Sequence, residues 1–146
     1  MSGITIRTAD PDDAAVIGKL VAQLGYADIT IESSRRRLVQ ILDRADHAVF
    51  VASTGGRTVA GFLHICVVET LEHEPRGEIR SLSVDQKHRS AGIGAQLVER
   101  AEQWAKERQL PRIRVRSNVL RDRARTFYER HGYVVSKTQN VFDKTL

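Results

Sequence analysis

Apolar and polar positions along the chain change their period several times, and each change predicts an element. Ile4 and Ile6 alternate with Thr5 and Arg7, the period of a short strand, and Asp10-Pro11 then supplies an acidic cap and the start of a helix. Ile17, Leu20, Val21 and Leu24 recur at helical spacing until Gly25 stops the run. A second amphipathic helix is predicted from Ser33 to Arg44, with Leu38, Ile41 and Leu42 on one side and Arg35, Arg36 and Arg37 largely elsewhere. Ala48 to Ser53 and Thr58 to Val68 are rich in β-branched and apolar residues, and Thr54-Gly55-Gly56 between them predicts an antiparallel hairpin.

A polar turn over 69–77 leads to a strand from Glu78 to Val84, whose alternation is imperfect: Ile79 falls on one face, Leu82 and Val84 on the other, which suits a bulge. From Gly92 to Arg108 a long helix is predicted, its stripe of Ile93, Leu97, Ala101, Trp104 and Ala105 making Trp104 a core residue. Leu110-Pro111 ends it. Ile113 and Val115 alternate with Arg112, Arg114 and Arg116 on a strand, and Arg121 to His131 forms a helix closed by Gly132. Tyr133 to Lys137 and Val141 to Lys144 are predicted as final strands. No repeat or linker interrupts the pattern, so one domain over residues 1–146 is expected, of mixed α/β (α+β) class with an antiparallel first half.

Composition narrows the class. A chain of 146 residues with 41% hydrophobic and 28% charged positions belongs with soluble globular domains. Its single cysteine, Cys66, excludes an internal disulfide framework and a zinc site of several thiolates, and no metal is expected. No apolar run approaches the roughly 20 residues that span a bilayer, and the N-terminus lacks a basic segment followed by an apolar one; the expectation is a cytoplasmic protein without a membrane partner.

Lys and Arg number 23 against 18 Asp and Glu, a net charge of +5. That balance favours an anionic partner: a nucleic acid, a phosphorylated cofactor or an acidic substrate. A diffuse solvated face is the plainer alternative. Nucleic acid is not expected, because aromatic residues make up 5% of the chain and none is interleaved with the arginines of 112–125.

The most informative stretch runs from Val84 to Gly94, VDQKHRSAGIG, leaving a strand and entering the long helix through small residues. Small residues let main-chain amides approach an anion, and the helix start adds about half a positive charge aimed at it. Lys87 and Arg89 supply neutralising charge, and an arginine can grip phosphate oxygens in a bidentate way. A P-loop string is absent, and a dinucleotide fingerprint beginning at Gly92 fails where its third glycine would be Leu97. The alternative is that Gly92 and Gly94 only permit a tight turn and close packing.

Arg89-Ser90-Ala91-Gly92-Ile93-Gly94 resembles the acyl-CoA-binding motif of the GCN5-related N-acetyltransferases, Arg/Gln-x-x-Gly-x-Gly/Ala. Leu82-Ser83-Val84 resembles the end of that family's central strand, whose exposed backbone pairs with the pantetheine arm. Asn118, Ala124, Phe127-Tyr128 and Gly132-Tyr133 are similar to a second family signature, Asn…Ala-x-x-Phe-Tyr-x-x-x-Gly-Phe/Tyr. The resemblance implies a central, mostly antiparallel sheet with helices on both faces and a splay at the acyl-CoA site. The cofactor-binding set it implies is Leu82, Ser83 and Val84, then Lys87 and the run Arg89 to Ala95 (Arg89, Ser90, Ala91, Gly92, Ile93, Gly94, Ala95), with Asn118 and Tyr128. Ser90 stands where many members have glycine.

The activity so implied is direct transfer of an acetyl group from acetyl-CoA, as co-substrate, to the primary amine of a small molecule or protein. Arg80 stands where many members carry an acidic residue, which leaves Glu78 as the candidate base, directly or through one water, with Asp85 or His64 as weaker candidates. The other reading of Glu78 is an ion pair with Arg80 or Arg76. A backbone amide freed at a bulge around Leu82 to Val84 would donate to the oxyanion, and Tyr128 holds the family's general-acid position. Asn118 would bond the pantetheine, or else form a turn. The family's acceptor site maps to Tyr26–Ser34 and Lys137–Phe142, where Asp28 and Glu32 either attract an amine or cap the second helix. Members are frequently homodimers through their C-terminal strands, for which Val134, Val135, Val141 and Phe142 are available. The competing reading is a non-catalytic acyl-CoA-binding sensor module lacking a working base.

Overall fold

Asp10 caps the first turn after the N-terminal strand: its carboxylate accepts the Asp12 amide, and the Asp13 carboxylate reaches back to the Asp10 amide, each at 2.8 Å. In the computed structural model, which describes every residue except Met1, Ser2, Ala27, Arg57 and Ser90, this cap joins β1 (Thr5–Thr8) to α1 (Ala14–Gln23). Thr30 and Ser33 form a second reciprocal cap that starts α2 (Ile31–Leu42), two residues ahead of the apolar stripe that predicts it. There follow β2 (His47–Thr54), β3 (Thr58–Val68), β4 (Arg76–Val84), α3 (Ile93–Glu107), β5 (Ile113–Val115) and α4 (Asp122–Arg130). The chain falls into two compact units, Met1–Val115 and Arg116–Leu146.

The first unit holds a five-stranded sheet in the order β1-β2-β3-β4-β5, antiparallel except for β5, which runs parallel to β4. Alternation along β2 and β3 divides its core in two. Val49, Val51 and Phe62 join Ile17, Leu20 and Leu38 of α1 and α2 on one face. On the other, Gly61 lies under α3, where a Cβ would stand 3.1 Å from Ile93 Cγ2 and 3.1 Å from the Ser83 carbonyl oxygen. Only a glycine lets the start of α3 sit this close to β3 and β4. Ile93, Leu97, Ala101, Trp104 and Ala105 are all buried, so the predicted stripe, Trp104 included, is the core face of α3.

The strand register places the irregularity earlier than the sequence pattern does. Ser81 pairs with His64 and Ile79 with Ile65, which leaves Arg80 as the extra residue of β4. Leu82, Ser83 and Val84, where the bulge is expected, pair regularly with Leu63, Phe62 and Gly61. Imperfect alternation announces a bulge without locating it, because one inserted residue inverts every face assignment beyond it.

In the second unit α4 is present and Gly132, with φ of 87°, follows its end. The strands expected over Tyr133–Lys137 and Val141–Lys144 are not there: 133–146 carry no regular secondary structure, and Val134, Val141 and Phe142 are 86%, 81% and 90% exposed. Alternating apolar residues become a strand only against an edge whose amides and carbonyls they can pair with, and an isolated hairpin is marginal in water. No helix among the described residues is long and apolar enough to cross a membrane.

Candidate active site

The second half of β4 presents an unpaired main-chain edge. β5 reaches only Gly77, Glu78 and Ile79, so from Arg80 to Val84 the strand has β3 on one side and no strand on the other among the described residues. The Asp85 amide donates to the Ala60 carbonyl at 2.7 Å, and an antiparallel ladder alternates inward and outward pairs. By that alternation Leu82 and Val84 direct their N–H and C=O groups to the open side. An extended amide-bearing chain would find both donors and acceptors there.

Immediately beyond, the chain tightens. One turn of 3₁₀ helix over Gln86–His88 is fixed by the Asp85 carboxylate, which accepts the Lys87 amide at 3.3 Å, and by the Asp85 carbonyl, which accepts the His88 amide at 2.8 Å. Gly92 then caps α3 with φ of 81°, a left-handed conformation in which no described residue lies within 4 Å of where a Cβ would be. Among the described residues, the amides of Gly92, Ile93, Gly94 and Ala95 have no protein acceptor, as expected of a helix start. Ile93 itself is 1% exposed, so it offers a ligand its amide and no side chain. Lys87, Arg89, Ala91 and Gly92 are exposed, and Lys87 and Arg89 form no ion pair among the described residues. Ser90 lies outside the described residues. The arrangement is a cradle of main-chain amides that follows directly in the chain on the open strand edge, a geometry able to receive an anion.

The carboxylates beside this edge are engaged. Glu78 is 2% exposed and lies between two guanidinium groups: Arg76 Nη2 stands 3.4 Å from Oε1, and Arg80 Nη1 contacts Oε2. The ion-pair reading of Glu78 is therefore what the side chains form. Asp85 accepts the Lys87 amide, which holds its carboxyl below the ordinary carboxylate range.

Two histidines that the sequence pattern does not pair meet on the same sheet face. His64 lies on β3 with Phe62 and Cys66, and His47 on β2 opposite Cys66; His47 Nδ1 is 2.8 Å from His64 Nε2, and the rings stack at 5.1 Å. Burial, then the His47 ring and Arg80, bring His64 down to about 4, so it is neutral near pH 7. Burial also lowers His47, against the pull of Asp46. Cys66 is buried and burial pushes its thiol up, in keeping with a small core residue. His47 goes unremarked in the sequence because it is 17 residues from His64, and only the hairpin register joins them.

In the second unit, the Asn118 carboxamide oxygen accepts the Leu120 amide at 2.9 Å and its carbonyl accepts the Arg121 amide at 2.9 Å. This is a turn built by asparagine, whose side-chain NH₂ has no protein partner among the described residues. Tyr128 is half-buried on α4, edge-on to Phe127 at 5.1 Å and to Tyr133 at 5.6 Å. Burial pushes its phenol up to about 12.

Several solved structures share the fold. An aminoglycoside N-acetyltransferase, AAC(6')-Iy in complex with CoA, superposes with a TM-score of 0.87 at 16% identity, covering 100% of this chain and 97% of that one. A transcriptional regulator from Bacillus halodurans C-125 gives 0.85 at 24%, covering 97% and 99%. An aminoglycoside acetyltransferase from an uncultured soil metagenomic sample, in complex with sisomicin, gives 0.81 at 23%, covering 99% and 97%. No curated protein sequence matches the chain. Residues 19–133, most of the chain and a span that enters both units, match the acetyltransferase (GNAT) family. With the open β4 edge and the glycine cradle already in place, that match settles the lineage: the chain belongs to the GNAT acetyltransferase family.

Proposed function

We propose that the protein transfers an acetyl group from acetyl-CoA directly to a primary amine of a small molecule or protein. The observation that carries this reading is the succession of two main-chain surfaces that have no partner among the described residues, the outward edge of Leu82 and Val84 and the amides of Gly92 to Ala95. The first suits the amide-bearing pantetheine arm and the second its pyrophosphate, with Lys87, Arg89 and Ala91 toward the phosphates; the family motifs give Ser90 a role at the phosphates and Asn118 a hydrogen bond to the arm. The outward Leu82 amide would meet the oxyanion of the tetrahedral intermediate. Tyr128 would stabilise the departing sulfur as its hydrogen-bond donor; with a phenol at about 12 against a thiol near 8.5, full transfer to the thiolate is uphill and is completed only if the tyrosinate regains a proton from solvent.

The neighbours named for aminoglycoside acetylation support an amine acceptor, and the exposed Val134, Val141 and Phe142 support self-association through 133–146. One observation favours a second reading, an acyl-CoA sensor without turnover: Glu78, the candidate base, is bound by both Arg76 and Arg80. Thermal unfolding with acetyl-CoA and with an oligonucleotide, followed by thiol release across an amine panel, tests both. A rise in Tm with acetyl-CoA alone and amine-dependent thiol release are expected. No rise at concentrations well above micromolar sinks both readings, and a rise without release leaves the sensor.

A further inference from the structure

Removing a proton from the acceptor is the step for which the usual kind of residue is missing. An ammonium has no lone pair, so transfer requires a group that takes its proton. Arg80 occupies the bulge of β4, Glu78 is bound by Arg76 and Arg80, and Asp85 holds the Lys87 amide. One neutral base faces the same surface. His64 pairs with Ser81, the residue after the bulge, and residues directly opposite in a ladder share a face; by the same rule Glu78 shares that face through its pairing with Cys66.

Resting on the acetyltransferase reading above, we propose that His64 accepts the acceptor's proton and hands it to His47, which releases it to solvent. The hydrogen bond between His47 Nδ1 and His64 Nε2 leaves His64 Nδ1 without a protein partner among the described residues, so one nitrogen of that ring is open for the incoming proton. His64 Nδ1 gains the ammonium proton, and the amine keeps the lone pair with which it attacks the thioester. His64 Nε2 passes its own proton to His47 Nδ1, and His47 Nε2 passes one to water. One proton travels from amine to solvent: an N–H bond breaks and another forms at each ring, and an O–H bond forms on the receiving water. Exchange with solvent returns the two rings to their starting tautomers before the next turnover. The exit is built for it: the His47 side chain is 18% exposed at the start of β2, with Nε2 3.9 Å from an Asp46 oxygen.

The charges around the pair set its direction. Arg80 on β4 acts on both rings, while Arg44 and Asp46, just before β2, act on His47 from opposite signs. Burial, the His47 ring and Arg80 oppose a lasting charge on His64 with nothing to offset them, whereas on His47 burial, Arg44 and Arg80 are partly offset by Asp46. A proton that reaches His64 is therefore driven outward.

The test uses His64→Gln and His47→Asn, whose amides reproduce the hydrogen-bonding positions of the lost nitrogens without taking up a proton. An unchanged Tm rise with acetyl-CoA verifies that each variant folds. Thiol release is followed from pH 6.5 to 10 with sisomicin, spermidine, tyramine and a peptide bearing a free N-terminus. His64→Gln is expected to lower kcat about 10²-fold at pH 7 with KM for acetyl-CoA unchanged. That deficit should shrink to about threefold near pH 10, where solvent has already deprotonated much of the amine. His47→Asn should show the same profile with about a tenfold deficit. Variants that keep the wild-type pH profile overturn the relay and leave the acetyltransferase reading standing. A wild type that releases no thiol with any amine removes that reading, and the relay's catalytic role with it. Imidazole ¹⁵N NMR of the wild type decides independently of turnover: the pair should bind at most one proton between pH 7 and 4.5, and two rings titrating separately near 6.5 would overturn it.

Discussion

The Ser83 hydroxyl donates to the main-chain oxygen of Leu20 at 3.0 Å in buried surroundings, tying β4 to the last turn of α1. The carbonyls of a helix's last turn are short of amide partners, and this bond satisfies one of them with a side chain. Ser83 thus serves the fold through its hydroxyl, on a strand whose outward Leu82 and Val84 edge is the one proposed to hold the cofactor. Ser83→Ala should cost about 1 kcal/mol and lower Tm by about 3 °C, since a buried acceptor loses its donor. Acetyl-CoA affinity should stay within about twofold, as is ordinary when no ligand contact is removed. Calorimetric titration beside a melting curve separates the two effects.

Gly92 carries two separable demands, a left-handed backbone and an empty cradle. Gly92→Ala meets open space but strains φ of 81°, so it should cost about 1 kcal/mol of stability and leave CoA binding measurable. Gly92→Glu adds bulk and negative charge where phosphates are expected, and should lose the same stability and all detectable CoA binding. Equal affinities for the two variants would show that no diphosphate lies against this turn.

Local periodicity made α1, α3, α4 and the β2–β3 hairpin legible from sequence, because each buries a stripe whose spacing its own residues dictate. Long-range partners were illegible for the same reason. Val134, Val135, Val141 and Phe142 have the alternation of strands, yet a strand also needs an edge to pair with, which no local pattern encodes. The cradle was readable because Gly92 and the residues before it act through their own backbone. Glu78 was visible as a carboxylate, but its partnership with Arg76 and Arg80 depends on where the bulge falls, and the pairing of His47 with His64 on the register of a hairpin.

Tyr128 should act as an acid whose proton is never titrated away under ordinary conditions. Burial pushes the phenol up to about 12, so Tyr128→Phe is expected to lower kcat about 10- to 10²-fold at every pH from 7 to 10, with CoA affinity little changed. The raised value also has a stability sign. Above pH 10 the unfolded tyrosine ionises while the folded one stays neutral, so the wild type should lose stability between pH 10 and 12 and the phenylalanine variant should lose less. Stopped-time thiol assays and alkaline unfolding curves measure the two consequences, and unaltered turnover would remove Tyr128 from the acid role.

His64 gives the fold an acid limit well above that of its carboxylates. Unfolded histidine takes its proton near 6.5, whereas the folded ring waits until about 4. Its full stability is therefore present above pH 6.5 and declines as pH falls from 6.5 to 4, by on the order of 3 kcal/mol at most. His47, also lowered by burial, adds to the same slope. Asp13 does not: burial works against its charge, but the Arg7 hydrogen bonds and the Asp10 amide prevail and hold it below the ordinary carboxylate range, so its loss comes in stronger acid. Urea unfolding at pH 7.5 and pH 5 should show a marked drop for the wild type and a much smaller one for His64→Gln, which has no proton to refuse. If both lose the same stability over that interval, the acid sensitivity arises elsewhere and the buried neutral histidine is not its source.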